Sequence, residues 1–368
     1  MDDLNFAQNI TALRRKYGIT QEALADFIGV TKASVSKWET GQSFPDIQTL
    51  LLLATYYDVT LDELIDYRPN LSKRQIRNLY RELAKNFTTK PFEEVFARSQ
   101  SMVKSYYSCY RFLLQICILW LNHFMLAAPE RRGEILEEIR KLCVRIYKNS
   151  GENGLCSDAI VLEAMVKLQQ EKAEEVIATM EEVCNPYRFA KNADSLLVQA
   201  YMQVGDIRRA DAHTQIYFFE SALALLSSAN NYLFVHMGEL EKCEIMIAKM
   251  DALFVQGIPG KPGENGEAQF HYTAAIVYGT HKRIPESLER LWRFVQIVKQ
   301  MKQRGMRLCS DAFFDRLEEW FEENELGADA VRDSALVMES AGKALDHPAF
   351  SCLPKEELIK LKKELESD

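Results

Sequence analysis

Thr20-Gln-Glu-Ala-Leu-Ala-Asp-Phe-Ile-Gly29-Val-Thr-Lys-Ala-Ser-Val-Ser-Lys-Trp-Glu-Thr-Gly41 is the stretch that decides the fold. Behind Thr20, a residue suited to capping a helix N-terminus, Ala23, Leu24 and Phe27 recur at helical spacing. Gly29 interrupts that pattern, because a residue without Cβ readily adopts the left-handed backbone that reverses a helix within a few residues. Thr31 is placed to cap the next short helix, Lys32 to Thr40, whose Val35 and Trp38 point inward, and Gly41 ends it. On the N-terminal side, Phe6, Ile10 and Leu13 predict a helix from Leu4 to Tyr17, closed by Gly18. On the C-terminal side, Pro45-Asp46 opens a fourth helix, Asp46 to Tyr57, and a fifth runs from Leu61 to Tyr67.

Two short helices joined by a glycine turn inside a five-helix unit predict a helix-turn-helix. The ordered series Thr20-Gln-Glu-Ala-Leu-Ala, Gly29 to Gly41, Pro45, Thr49-Leu50, Ala54 and Asp58-Val-Thr-Leu-Asp-Glu-Leu64 closely resembles the lambda-repressor-like (Xre/Cro) family over residues 5–67. That resemblance implies that the helix starting at Lys32 enters the DNA major groove. The side chains opposite Val35 and Trp38 then face base edges: Lys32, Ala33, Ser34 and Lys37, with Thr31 at the helix start. Lys32 and Lys37 are able to donate to guanine O6 and N7, while Ala33 and the Thr31 methyl suit a thymine methyl. Ser36 lies nearer the rim, within reach of a phosphate. Gln21 matches the family position that clamps backbone phosphate beside a helix N-terminus. Thr40, Gln42 and Ser43 match the loop that reaches the backbone on the other side, although Gln42 and Ser43 also read as ordinary turn residues. By the same resemblance Arg14 and Glu39 form an intradomain pair, which leaves Arg15 and Lys16 to approach phosphate.

The 368 residues carry 45 basic and 53 acidic side chains, a net of −8, which argues against indiscriminate nucleic-acid binding. With 47% hydrophobic and 27% charged residues, the chain is globular rather than disordered. Charge is distributed unevenly. Residues 1–68 hold 6 basic and 10 acidic groups, a net of −4. Few phosphates can be neutralised by that set, so specific binding is expected to need two copies on half-sites about 34–36 Å apart.

Residues 69–90 read as a basic helical connector: Pro69 and Asn70 break the chain, and Ser72 with Gln75 forms a capping-box start. Its net charge is +5, and Lys73, Arg77, Arg81 and Lys85 recur every four residues as one stripe. The stripe suits either the DNA backbone or the acidic remainder of the chain, since residues 91–368 carry a net of −9.

From 91 onward the periodicity is helical throughout. Leu197-Val-Gln-Ala-Tyr201-Met-Gln-Val-Gly205-Asp-Ile-Arg-Arg-Ala210 aligns with Asn230-Asn-Tyr-Leu-Phe234-Val-His-Met-Gly238-Glu-Leu-Glu-Lys-Cys243, with the two glycines 33 residues apart. Ala164 to Val176 fits one unit earlier, and Ala274, Tyr278, Lys282 and Ser287 form a looser copy after the insertion Gln256–Glu267, read as a long flexible loop. An aromatic, a small residue and an Ala or Cys at this period resemble tetratricopeptide repeats over 157–303, without the family's Trp and repeat-closing Pro. Segments 92–150 and 304–345 are expected to be divergent helix pairs of the same stack, and Pro354–Leu365 a terminal capping helix. The family register implies a concave ligand face containing Asn192, Ser195, Gln199 and Gln203, then Ser228, Tyr232 and His236, then Gln269, Tyr272 and Thr280. Amides and hydroxyls both donate and accept, which suits the backbone of an extended peptide.

The sequence as a whole is expected to be all-α: a five-helix lambda-repressor-like domain over 1–68, the connector 69–90, and a tetratricopeptide-like α-solenoid over 91–368. No enzyme chemistry is expected. The six histidines form no HxxxH or His/Cys cluster, and no GxGxxG or P-loop occurs, so neither metal nor cofactor is expected. The eight cysteines contain no CxxC pair and, with no signal peptide, read as free thiols of a cytoplasmic protein. The apolar run Phe112–Ala128 contains Gln115, Asn122 and His123 and reads as a core helix, not a membrane span. The combination of a repressor-type head and a repeat array is similar to the cytoplasmic peptide-pheromone receptors and related regulators of Gram-positive bacteria. It implies a homodimeric transcriptional regulator of a palindromic operator in double-stranded DNA, gated by a short peptide or protein ligand. Two alternatives stay open: a protein-interaction adaptor with little DNA role, and a ligand-independent repressor.

Overall fold

The computed structural model describes residues 6–67, 70–183 and 193–367. All regular structure among them is helical. The chain divides into two compact units, Met1–Leu71 with Ser105–Cys109, and Ser72–Lys104 with Tyr110–Asp368.

The first unit holds α1 (Phe6–Lys16), α2 (Gln21–Ile28), α3 (Lys32–Glu39), α4 (Ile47–Tyr57) and α5 (Leu61–Ile65). Each of the last four starts on a side chain that satisfies an orphan N–H of the first turn. Thr20 accepts from Ala23, Thr31 from Ser34, Asp46 from Thr49, and Thr60 forms a full capping box with Glu63. Gly29, at φ 79 and ψ 33, sends its N–H back to Ala25 O and turns the chain between α2 and α3. One apolar core results, with Phe6, Ile10, Leu24, Val35, Trp38, Leu53, Tyr57 and Leu64 buried. Burial of each large side chain contributes on the order of 1.5–3 kcal/mol, so α3 is held by Val35 and Trp38 with its opposite face left to solvent.

The second unit begins with α6 (Lys73–Thr89), α7 (Phe92–Ser105), α8 (Tyr110–His123), α9 (Pro129–Asn149), α10 (Asn153–Gln169) and α11 (Ala173–Val183). The expected connector therefore contains a helix whose Ile76, Tyr80, Leu83 and Phe87 are buried within this unit. The run in α8 is core, as the sequence suggests: Trp120 is buried, lies 4.8 Å from the Phe96 ring and donates to Ser99 Oγ at 2.8 Å. No helix among the described residues is long and apolar enough to cross a membrane. The seven described cysteines are unpaired; Cys184 lies outside the described residues.

Next come α12 (Ala193–Gln203), α13 (Ile207–Val235), α14 (Leu240–Val255), α15 (Glu264–Thr280), α16 (Ile284–Gln303), α17 (Leu317–Glu323), α18 (Ser334–Ala344) and α19 (Lys355–Glu366). From α12 to α16 sequential helices pack as neighbours, with α15 against α16 the most extensive pair, while α17 packs on α13 and α18 on α16. Two details depart from the expected repeats. Between Gly205 and Gly238 there is one helix of 29 residues, because 207–235 contains neither Gly nor Pro to interrupt it. The insertion 256–267 is not a long flexible loop: a single 3-10 turn at Lys261–Gly263 leads directly into α15. Gly260, Gly263 and Gly266 serve close packing, and a Cβ on Gly266 would lie 2.8 Å from Leu226 Cδ1. Segment 304–345 does hold two helices, α17 and α18, the first of them short, and ahead of it Asp311 accepts from the backbone N–H groups of Phe313 and Phe314 and turns the chain. At the C-terminus α19 packs on α16 with Leu361 and Leu365 buried.

The basic stripe of α6 faces protein. Arg77 donates to Glu322 O at 2.7 Å, Asn324 O at 2.8 Å and Glu325 O at 3.3 Å, capping the C-terminus of α17, and its Nη1 pairs with Glu322 at 3.0 Å. Lys73 donates to Glu323 O, Arg81 pairs with Asp329, and Tyr80 donates to Val331 O at 2.9 Å. Of the two partners the sequence offered this stripe, the acidic remainder of the chain is the one that Lys73, Arg77 and Arg81 meet, while Lys85 is exposed.

Candidate nucleic-acid interface

The outward face of α3 is assembled by its buried one. With Val35 and Trp38 locked in the core, Lys32, Ala33 and Lys37 are exposed, and Ser34 and Ser36 are half-buried beside them. Thr31, exposed at the N-cap, accepts from Ser34 N at 3.1 Å and meets Ser34 Oγ at 2.8 Å, so its hydroxyl is engaged and its methyl remains available. Lys32 lies 3.6 Å from Glu22, but both side chains are more than half exposed, so the pair is weak and readily exchanged for another anion. Lys37 forms no ion pair among the described residues. At the other end Thr40 donates to Ser36 O at 2.9 Å; Gln42 is exposed and Ser43 half-buried.

A second network fixes the tilt of this helix. Arg14 of α1 makes a two-pronged pair with Glu39 of α3, Nε to Oε1 at 2.5 Å and Nη2 to Oε2 at 2.9 Å, and Arg14 Nη1 also donates to Ile19 O at 2.9 Å. The expected intradomain pair is therefore present. Its hydrogen bond to Glu39 raises the Arg14 pKa despite partial burial. Burial pushes the Glu39 carboxyl upward, yet the hydrogen bonds from Arg14 and Gln21 outweigh it and hold the carboxyl below its ordinary value. Gln21 Nε2 donates to Glu39 Oε2 at 2.8 Å. The residue expected to meet phosphate thus also braces α2 against α3, with one amide proton left for a further acceptor. Arg15 and Lys16, in the last turn of α1, are exposed. Among the described residues no group of three or more His, Cys, Asp or Glu side chains could hold a metal.

The second unit disperses the residues expected to take a ligand. Asn192 lies outside the described residues. Ser195, Gln199 and Gln203 form an exposed stripe on α12, and Ser228 and Thr280 are exposed on α13 and α15. The Tyr232 ring lies 4.4 Å from that of His236, tilted by 47°, and His236 Nδ1 meets Glu239 at 2.8 Å where α13 ends. Gln269 and Tyr272 alone line a cavity of about 690 Å³ between α13, α15 and α17. Its remaining walls include Phe219, Leu223, Phe234 and Trp320 with Asn230, Asn231, Asn265 and Asn324, and no charged side chain lines it. Asn230 Oδ1 is buried there without a hydrogen-bond partner. These asparagines escaped the sequence reading because the repeat register carried over only one helix face. The long α13 turns a neighbouring face inward. The Asn230-Asn231 pair was the available signal.

The first unit is thus a five-helix helix-turn-helix with a clean outward face on its third helix. Residues 10–64 match the helix-turn-helix family. The transcriptional activator BcrR of Enterococcus faecalis is 34% identical over 62 residues, which is 17% of this chain and 30% of BcrR. YqaE of Bacillus subtilis is 32% identical over 65 residues, 18% of this chain and 56% of YqaE. A third regulator, YobD of the same species, is 31% identical over 76 residues, covering 20% of this chain and 68% of YobD. The chain belongs to the helix-turn-helix transcriptional regulators. It spans less than two thirds of BcrR and of YqaE. The apo form of the competence regulator ComR from Streptococcus vestibularis aligns over 87% of this chain and 97% of its own, at 13% identity and a TM-score of 0.23.

Proposed function

We propose that this protein regulates transcription by binding a palindromic operator as a homodimer, with α3 of each copy in the major groove. The observation that carries the reading is the exposed Lys32, Ala33 and Lys37 opposite the buried Val35 and Trp38. Lys32 and Lys37 donate to guanine O6 and N7, and Ala33 and the Thr31 methyl pack on thymine methyls. Ser34 supplies a further base-facing hydroxyl, while Ser36 and the remaining amide proton of Gln21 bind phosphate. Thr40, Gln42 and Ser43 contact the backbone beyond α3. Two copies are needed because the first unit is acidic overall and neutralises few phosphates alone. Footprinting on DNA fragments selected from a random pool tests this. Protection is expected with the wild type and lost with Lys32→Ala plus Lys37→Ala; protection that survives both changes refutes it.

The second unit, on this reading, takes a short peptide in the 690 Å³ cavity. Amides at several positions suit peptide N–H and C=O groups, and the unpartnered Asn230 oxygen calls for a donor. Aromatic walls without charge favour an uncharged, apolar segment. Such a ligand regulates only if it binds two dimer geometries with different affinity. Calorimetric titration of apolar peptides, with and without operator, tests the coupling.

A further inference from the structure

A separate cleft of about 300 Å³ lies between α6 and the stretch 305–334, on the far side of the Arg77 cap. Four cations line it, Arg81, Lys85, Arg307 and Arg332, against two carboxylates, Asp329 and Asp333. The carboxylates are already committed. Asp329 is shared by Arg81 and by Arg307, whose Nε lies 3.2 Å away, and Asp333 accepts from Ala335 N at 2.9 Å to cap α18. Lys85 and Arg332 form no ion pair among the described residues, and Arg332 Nε is buried with no hydrogen-bond partner. A buried guanidinium N–H without an acceptor is costly unless something fills the position. The cleft also has an apolar side, formed by Met306, Leu326 and Ala330, and a hydroxyl at Ser334 on the first turn of α18.

We propose that this cleft binds a small phosphorylated metabolite, its phosphoryl dianion held between Lys85 and Arg332 and its carbon body against Met306 and Leu326. Four cations against two carboxylates leave the cleft a net charge of +2, which matches a dianion, and Arg332 supplies the directed N–H groups that phosphate oxygens accept. The concave shape and the two carboxylates in its wall favour a free small molecule over the DNA backbone, which needs an open basic stripe. The other cations of that stripe, Lys73, Arg77 and Arg81, are turned to carbonyls and carboxylates. Because the site joins α6 to the end of α16 and the start of α18, an occupant would reinforce the clasp that closes the second unit. The inference stands apart from the DNA and peptide readings and needs neither.

Titration of the full chain with glycerol 3-phosphate and with pyrophosphate, followed by calorimetry and thermal melting, provides the test. Saturable binding of one ligand per chain is expected, weakened about tenfold or more in Arg332→Gln and in Lys85→Ala. It should be unchanged in Lys32→Ala plus Lys37→Ala, and uncharged glycerol should not bind. Lys85 is exposed, so its replacement reports on the site even if Arg332→Gln lowers the melting temperature. The proposal is overturned if neither phosphate binds saturably, or if both variants bind like the wild type. It is equally overturned if Lys85→Ala weakens binding to duplex DNA while leaving glycerol 3-phosphate binding intact, since the phosphate would then belong to nucleic acid.

Discussion

Glu39→Ala should loosen α3 more than any exposed substitution on that helix. The carboxylate accepts three hydrogen bonds, two from Arg14 and one from Gln21, and its side chain is only 6% exposed, against 15% for Arg14. Removing one partner of such a pair leaves a nearly buried guanidinium uncompensated, at a cost of about 3 kcal/mol. A unit of this size typically has only a few kcal/mol of stability, so the loss lowers its melting temperature by roughly 12–24 °C. Hydrogen exchange of the full chain is the appropriate assay, because it assigns the loss to a region. Peptides spanning α2 and α3 should exchange about 150-fold faster, and those spanning α15 and α16 at the wild-type rate. Replacing both members, Arg14→Leu with Glu39→Leu, should restore most of the protection, because no charge is then left unpaired. If Glu39→Ala changes exchange in α2 and α3 by less than about fivefold, the network does not hold the recognition helix and the reasoning fails.

The same carboxylate sets an acid limit. Glu39 is held below its ordinary pKa, so its contribution is complete above the unfolded carboxyl value of about 4.3 and is lost as pH falls through the folded value. Acid titration of the wild type should therefore show an added loss in that window that is absent from Arg14→Leu/Glu39→Leu. Gly29→Ala should cost about 1–2 kcal/mol, all of it conformational, because φ is 79 and nothing lies within 4 Å of the new Cβ; urea melts will measure it. The salt dependence of binding to nonspecific duplex should be shallow. Arg15, Lys16, Lys32 and Lys37 are the exposed cations described in the first unit, so a dimer's log–log slope should not exceed about −7. A slope steeper than about −10 would show that other cations touch DNA. In the cavity, Asn230→Ala and Trp320→Ala should each weaken a bound apolar peptide by about tenfold or more without changing DNA affinity in its absence, read by calorimetry.

The first unit was legible because its punctuation is local. Thr20, Gly29, Thr31, Gly41 and Asp46 act on neighbours within a few residues, and the structure shows each cap or turn where those residues stand. Even the Arg14–Glu39 pair, 25 residues apart, followed from a family register. The second unit was legible as helix but not as architecture. The glycines at 260, 263 and 266 carry the sequence signature of a loose loop, yet they sit against Asp311, Pro259 and Leu226 at distances only a missing side chain permits. The Arg77 cap joins residues about 250 apart, and nothing in a spacing of four indicates which carbonyls wait for it. The residues expected on one ligand face are dispersed for a related reason: a repeat register assigns helix faces on the assumption of two short helices, and α13 is one long one.

The central claim is that the outward face of α3 reads DNA sequence. The most direct measurement is selection of bound fragments from random DNA with the wild type and with Lys37→Ala. A palindromic consensus is expected from the wild type, with half-sites about one helical turn apart. In Lys37→Ala preference should relax at one guanine per half-site, with the rest of the consensus retained. An unselected pool, or an identical consensus from both proteins, would contradict the account.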